Sequence, residues 1–166
     1  YDAIVKHLID IKPDGSFHMD MSYFNYCGGL TMTSERFHEL FGAPPRRPES
    51  ELTQRDMDLA ASIQKVANEL MLLMARHARE VTGEENLCLA GGVALNCVGN
   101  GLIMKEKIFK RMFIQPAAGD AGGALGAALF AYHGLLDGPR ESRTHDALKG
   151  GLLGPAFRTA DAGGLL

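Results

Sequence analysis

Hydrophobic and polar residues change their spacing along the chain, and each spacing predicts a type of element. Apolar residues in the segment 1–11 suit either a helical turn or a strand. The segment 12–16 holds Pro13 and Gly15, which favour a turn. Apolar positions then alternate with polar ones, as in a strand, at Phe17, Met19, Met21 and Tyr23. This order predicts a β-hairpin at the start of the chain.

Two helices are predicted after the hairpin. The first covers residues 33–41 and ends at Gly42. The second is long, residues 52–82, and Thr53 with Asp56 forms a variant of the capping box at its start. Its apolar residues recur every three or four positions, at Leu59, Ile63, Val66 and Leu70. We expect this stripe to lie on the sheet that contains residues 87–90 and to form the main core.

A strand, a loop and a helix then occur twice in succession. The first strand covers residues 86–90, the glycine pair 91–92 and the first helix 93–104. The second strand covers residues 111–114, the loop 115–120 and the second helix 121–133. Both loops follow the carboxyl end of a strand. In open α/β sheets ligands bind at that edge. The pattern predicts an α/β fold with a ligand site formed by these two loops.

The two loops carry residues suited to ligand contact. Gly91 and Gly92 let the backbone approach a ligand closely, and a helix amino terminus behind them favours anionic or polar groups. Asp120, at the end of the second loop, is a candidate metal or phosphate-site residue. A glycine turn between strand and helix is also common in a purely structural role, and the pair by itself does not decide between the two interpretations.

Composition narrows the class of protein. The 166 residues suffice for one domain, with 46% hydrophobic and 22% charged residues. The net charge of −3 argues against a generic nucleic-acid binder, and the apolar runs are too short or too interrupted by charge to span a membrane. Cys27, Cys88 and Cys97 are expected to be reduced and partly buried, as in the cytoplasm. We expect the chain to be a piece of a longer protein.

Three segments resemble one enzyme family. Residues 58–64 (DLAASIQ), 89–96 (LAGGVALN) and 116–126 (PAAGDAGGALG) are similar to the carbamoyltransferases that modify nodulation factors and antibiotics. A more distant resemblance is to the tRNA threonylcarbamoyladenosine enzymes. The resemblance covers residues 23–157.

Both groups belong to the actin-like ATPase superfamily, so the resemblance implies a ribonuclease H-like lobe, a mixed sheet flanked by helices. Residues 1–150 are then the second lobe of the catalytic domain. Residues 151–166 begin a linker to a C-terminal adenylate-forming domain that the chain lacks.

The resemblance also implies roles for single residues. It gives nucleotide or phosphate contacts to Gly91, Gly92, Asn96, Gly119 and Gly123. Asn96, placed one turn into the helix, would hydrogen-bond the base or the ribose; the alternative is an exposed helical amide. Asp120 matches a metal ligand that joins two histidines from the first lobe, spaced as His-x-x-x-His. No such histidine pair occurs in this sequence, so the divalent metal, iron or zinc, is expected only in the complete enzyme.

The reaction implied by the resemblance has two stages. A separate domain converts carbamoyl phosphate and ATP into carbamoyl adenylate, and the actin-like domain passes the carbamoyl group to a hydroxyl of a small molecule or sugar. Because the first lobe and the C-terminal domain are missing, the fragment alone is expected to be inactive. The alternative is a nucleotide-binding or scaffolding lobe without chemistry of its own. A sugar-kinase-like phosphotransferase is disfavoured by the sequence Pro-Ala-Ala-Gly-Asp at residues 116–120.

Overall fold

The computed structural model describes residues 1–141, 145, 148–152 and 154–157. The described residues form two compact units. The first unit combines Tyr1–Leu87 with Asn96–Met112, and the second combines Cys88–Leu95 with the described residues from Phe113 onward. Of the predicted linker, residues 153 and 158–166 lie outside the described residues.

The described chain contains five α-helices and four strands. The helices are α1 (Asp2–His7), α2 (Glu35–Phe41), α3 (Gln54–Thr82), α4 (Cys97–Lys105) and α5 (Gly122–Phe130). The strands are β1 (Ile9–Ile11), β2 (Phe17–Met19), β3 (Asn86–Leu89) and β4 (Arg111–Ile114). Short 3₁₀ segments occur at Met21–Tyr23, Gly92–Leu95 and Lys149–Gly151, and a π-helix follows α5 at Ala131–Leu135.

The predicted hairpin is present but shorter than expected. Strands β1 and β2 pair antiparallel, and the turn between them closes through a 2.8 Å hydrogen bond from the Lys12 N–H to the Ser16 carbonyl. Gly15 has a φ of +84°, which favours glycine. The second strand ends at Met19 because the carboxylate of Asp20 accepts a hydrogen bond from the Ser22 N–H and starts a 3₁₀ turn.

The long helix begins and ends where local chemistry predicts. The Thr53 N–H donates to the Asp56 carboxylate at 2.9 Å, and the Thr53 hydroxyl accepts from the Asp56 N–H at 3.3 Å. These two bonds complete the predicted capping box. At the other end, Gly83 adopts the left-handed conformation, with a φ of +68°, and its N–H donates to the Arg79 carbonyl.

The core of the first unit corrects the predicted packing of α3. Val66 is only 1% exposed, and it packs with Ile4, Leu8 and Tyr23 from the start of the chain. The neighbouring side chains that complete this cluster include Leu70 and the aromatic residues Phe24, Phe37 and Phe41. The expectation that the stripe lies on the sheet at residues 87–90 is therefore wrong for its buried part. The N-terminal elements supply the apolar surface instead.

The other half of the stripe is less buried than expected. Ile63 is 55% exposed. With Leu59 it lines an apolar cavity of about 340 Å³ that also involves Ile4, Leu8 and Phe24. On its other side α3 packs against α4, and a Cβ at Gly99 would collide with the Met71 side chain. Gly99 therefore permits close packing of these two helices.

Strands β3 and β4 form a two-stranded sheet at the predicted positions. The Lys110 N–H donates to the Glu85 carbonyl at 2.7 Å and the Gln115 N–H to the Leu89 carbonyl at 3.2 Å, which is the order expected for parallel strands. The boundary between the two units falls within both strands. The mixed α/β class is thus confirmed. The described strands form two separate pairs, and the actin-like assignment stays a prediction.

The structure also shows how exposed the three cysteines are and how long and apolar the helices are. Cys27, Cys88 and Cys97 are free and exposed, so the expectation that they are partly buried is wrong. Among the described residues, none of the helices is both long enough and apolar enough to cross a membrane.

Candidate functional site

The loop after β3 is built around Gly91. Its φ is +96°, a conformation that side-chain-bearing residues rarely adopt, and its N–H donates to the Ala118 carbonyl at 2.8 Å. This hydrogen bond joins the loop after β3 to the loop after β4 within the second unit. Gly92 is exposed, and a Cβ there would meet open space. The predicted glycine turn is therefore present, and both of its glycines are exposed.

The loop after β4 ends in the amino terminus of α5. The Gly122 N–H donates to the Gly119 carbonyl at 3.0 Å, and the Gly123 N–H donates to the Asp120 carbonyl at 3.1 Å. These turn bonds occupy two of the N–H groups that a helix start would otherwise offer to an anion. Asp120 is exposed, as its predicted position at a strand end implies.

The structure also shows which glycines of this loop the backbone requires. A Cβ at Gly122 would collide with the Ala117 carbonyl oxygen. At Gly119 a Cβ would make an ordinary contact, 3.5 Å from Leu95 Cδ1, and at Gly123 it would meet open space. Gly122 is not among the predicted ligand contacts. The signal that points to it is the pair of adjacent glycines at the start of a helix.

Asn96 differs most from its prediction. The glycine pair leads into the 3₁₀ segment Gly92–Leu95, and Asn96 is the N-cap of α4, not a residue one turn inside a helix. Its Oδ1 accepts from the Gly99 N–H and from Gln64 Nε2, both at 3.1 Å, and its Nδ2 donates to Gln64 Oε1 at 3.3 Å. Gln64 Nε2 also donates to Asn68 Oδ1 at 2.7 Å.

This network gives the Asn96 amide a structural role. It caps α4 and links that helix to α3, both in the first unit, whereas the two loops lie in the second. The half-buried amide accepts two hydrogen bonds at its oxygen and donates one of its two N–H hydrogens to Gln64. The contact of Asn96 with a base or ribose stays a prediction.

Asp120 is the one charged residue within the two loops, residues 90–96 and 115–121. In the described part of the chain, no three His, Cys, Asp or Glu side chains converge as metal ligands would. Hydrogen bonds from Ser16, Ser22 and Thr53 lower the pKa values of Asp14, Asp20 and Asp56, respectively. These three carboxylates belong to the hairpin turn, a 3₁₀ turn and a helix cap, outside the two loops.

Comparison with known proteins completes this picture. Residues 1–129 match the family model described as the carbamoyltransferase N-terminus. The chain is 56% identical over 156 residues to an uncharacterized protein of Synechocystis sp., an alignment that covers 94% of this chain and 25% of that protein.

Two nodulation proteins share a shorter region. NolNO of Sinorhizobium fredii and NolO of Bradyrhizobium diazoefficiens are 46% and 45% identical over 97 residues. These alignments cover 58% of this chain and 14% and 18% of the two proteins. The chain thus spans a quarter or less of the length of these relatives. By its match to the family model, the chain belongs to the carbamoyltransferase family.

Proposed function

We propose that this chain is part of an enzyme that transfers a carbamoyl group to a hydroxyl of a small molecule or sugar. We propose further that the loops after β3 and β4 carry its ligand contacts. The observation that carries this proposal is the 2.8 Å hydrogen bond from the Gly91 N–H to the Ala118 carbonyl, which brings the two loops side by side. Membership of the carbamoyltransferase family supports the reaction type.

Gly91 and Gly92 are proposed to face a nucleotide. Both residues are exposed, and neither has a neighbour within contact distance of the position of a Cβ. A flat nucleoside can approach such a backbone because no side chain stands in the way. ATP and the carbamoyl adenylate formed from it are the proposed ligands. Gly119 and Gly123 would leave room for their phosphate or carbamoyl groups.

The implied metal needs more than these residues. Asp120 is exposed, and no three His, Cys, Asp or Glu side chains among the described residues converge as a metal site would require. One carboxylate does not hold a divalent ion tightly, because affinity comes from several ligands converging at once. The residues of this chain therefore do not fit a metal site by themselves. In our proposal the remaining ligands, two histidines, come from the lobe that the chain lacks.

The proposed transfer moves one group between two oxygens. The acceptor hydroxyl oxygen attacks the carbamoyl carbon of carbamoyl adenylate, the bond from that carbon to the adenylate phosphate oxygen breaks, and AMP leaves. The hydroxyl proton passes to solvent or to a base. Carbamoyl phosphate and ATP supply the adenylate in a domain outside this chain.

The test uses the complete protein that contains this chain. It is incubated with carbamoyl phosphate, ATP and a panel of hydroxylated acceptors, and carbamoylated products are sought by mass spectrometry. We expect Asp120→Ala to abolish transfer but to leave adenylate formation intact. Asp10→Ala, which removes an exposed carboxylate paired with Lys12, is the control and should change neither activity.

Three outcomes separate the alternatives. Loss of both activities in Asp120→Ala would mean that Asp120 is structural. Adenylate formation without transfer to any acceptor would contradict the proposed acceptor class. Nucleotide binding without adenylate formation or transfer would favour a nucleotide-binding or scaffolding lobe that has no chemistry of its own.

A further inference from the structure

The second unit contains a cavity lined by residues other than the proposed nucleotide and metal contacts. Its volume is about 670 Å³, within the range of roughly 300–1,000 Å³ that small-molecule sites occupy. Apolar side chains form most of its wall, and a few polar ones join them; they include Phe113, Leu129, Tyr132, Gln115, His133 and Glu141. An apolar wall with a few polar groups is the usual composition of a ligand site.

A local irregularity in the backbone presents two of these side chains. Helix α5 widens into the π-helix Ala131–Leu135, which contains Tyr132 and His133. Their rings meet edge to face, with centroids 4.8 Å apart. The Gly138 N–H donates to the Tyr132 carbonyl at 2.8 Å, and a Cβ at Gly138 would collide with the Tyr132 ring. Such π-helical segments occur frequently at functional sites.

The hydrogen-bonding state of His133 defines what the cavity recognises. Its Nδ1 lies 3.0 Å from the Gly138 carbonyl oxygen, which can only accept, so Nδ1 carries the proton. In the neutral ring, Nε2 is then an acceptor. Glu141 adds a carboxylate to the same wall, and Gln115 adds an amide. An acceptor at Nε2 favours a ligand that donates a hydrogen bond.

We infer that this cavity binds a small ring-bearing alcohol. Its ring would lie against the Phe113 and Tyr132 side chains, and its hydroxyl would donate to His133 Nε2. The inference stands apart from carbamoyl transfer. A ring-bearing alcohol also has the chemistry of the hydroxylated acceptor, and that identification, unlike the binding itself, rests on the proposed function.

The first test measures binding to the complete protein that contains this chain, by equilibrium dialysis. The probes are 2-naphthol and 2-methylnaphthalene, which share a ring system and differ in the hydroxyl. We expect 2-naphthol to bind about 2–10-fold more tightly, the contribution of one hydrogen bond. Equal affinity for the two probes, or no binding of either, would overturn the inference.

Substitutions locate the site. Leu129, which is 47% exposed, lines the cavity, so Leu129→Trp should block binding of 2-naphthol. Leu136→Trp is the matched control, because Leu136 is 74% exposed and does not line the cavity. If Leu129→Trp binds as the unmodified chain does, the site is elsewhere. Circular dichroism verifies that both variants are folded.

A pair of substitutions at His133 separates recognition from folding. The amide nitrogen of asparagine can replace Nδ1 and keep the bond to Gly138, but it leaves nothing in place of Nε2. The longer amide of glutamine can place an oxygen near the position of Nε2. We expect His133→Asn to lose the preference for 2-naphthol over 2-methylnaphthalene and His133→Gln to retain part of it. The opposite order would refute the role of Nε2. None of these assays needs ATP or carbamoyl phosphate, so their result is independent of the transfer assay.

Discussion

The packing of α3 makes a counter-intuitive prediction: a smaller truncation should cost more stability than a larger one. Val66→Ala removes two methyl groups from a side chain that is 1% exposed. At about 0.8 kcal/mol per buried carbon group, the transfer part is about 1.6 kcal/mol. The unfilled space left among Ile4, Leu8 and Tyr23 raises the expected loss to about 2–3 kcal/mol.

Ile63→Ala removes three carbon groups from the same helix. If the side chain were fully buried, removing these groups would lower the free energy of unfolding by about 2.4 kcal/mol. Because the Ile63 side chain is 55% exposed, the expected loss is about 1 kcal/mol. Both substitutions replace a β-branched residue with alanine in a helix, so the gain in helix propensity is similar and largely cancels in the comparison.

Urea unfolding followed by circular dichroism measures the difference. With a slope near 2 kcal/mol per molar urea, the midpoint should fall by about 1–1.5 M for Val66→Ala and by about 0.5 M for Ile63→Ala. Met57→Ala, at a 47% exposed position of the same helix, is the control and should resemble Ile63→Ala. A larger fall of the urea midpoint for Ile63→Ala than for Val66→Ala would refute the packing of α3 against the N-terminal elements.

Three further predictions concern the loops and the helix cap. Gly122→Ala should lower the melting temperature by several degrees because its Cβ meets a carbonyl oxygen, whereas Gly123→Ala should not; equal melts would show that the loop adapts. Thr53 lowers the pKa of Asp56, so this carboxylate stabilises the fold above the usual aspartate range and the effect is lost as the pH falls through the lowered pKa. Thr53→Val should therefore flatten the dependence of the urea midpoint on pH between about 5 and 2, and an unchanged slope would contradict this. Gly92→Val should abolish binding of adenine nucleotides measured by calorimetry; unchanged binding by a folded variant would make the glycine pair a structural turn.

Elements with local signals could be predicted from the sequence. The start of α3 follows from the side chains of Thr53 and Asp56, and its end follows from Gly83, so nearby residues determine both boundaries. The partner of its apolar stripe could not be predicted in the same way. Val66 packs on residues about 40–60 positions earlier, and a helical pattern shows which face is apolar without showing what covers it.

In the candidate site, too, local features could be predicted from the sequence and contacts between distant residues could not. The left-handed conformation of Gly91 follows from turn chemistry, and the exposure of Asp120 follows from its place after a strand. The position of Asn96 depended on where the 3₁₀ segment gives way to α4 and on Gln64, which lies 32 residues earlier. No residue next to Asn96 indicates that partner, so the link from Asn96 to α3 was not visible in the sequence.

The glycines of the two loops differ in whether the fold itself requires a glycine at that position. Folding itself requires Gly91, for its backbone angle, and Gly122, to avoid the Ala117 carbonyl. Gly92 and Gly123 have neither reason, since a Cβ at either position would meet open space. A glycine within a helix costs roughly 0.5–1 kcal/mol relative to alanine, and Gly123 lies in the first turn of α5. Gly101 and Gly126 are helical glycines whose Cβ would also meet open space, so open space alone does not identify a ligand contact. The ligand role of Gly92 therefore depends on the loss of nucleotide binding expected for Gly92→Val.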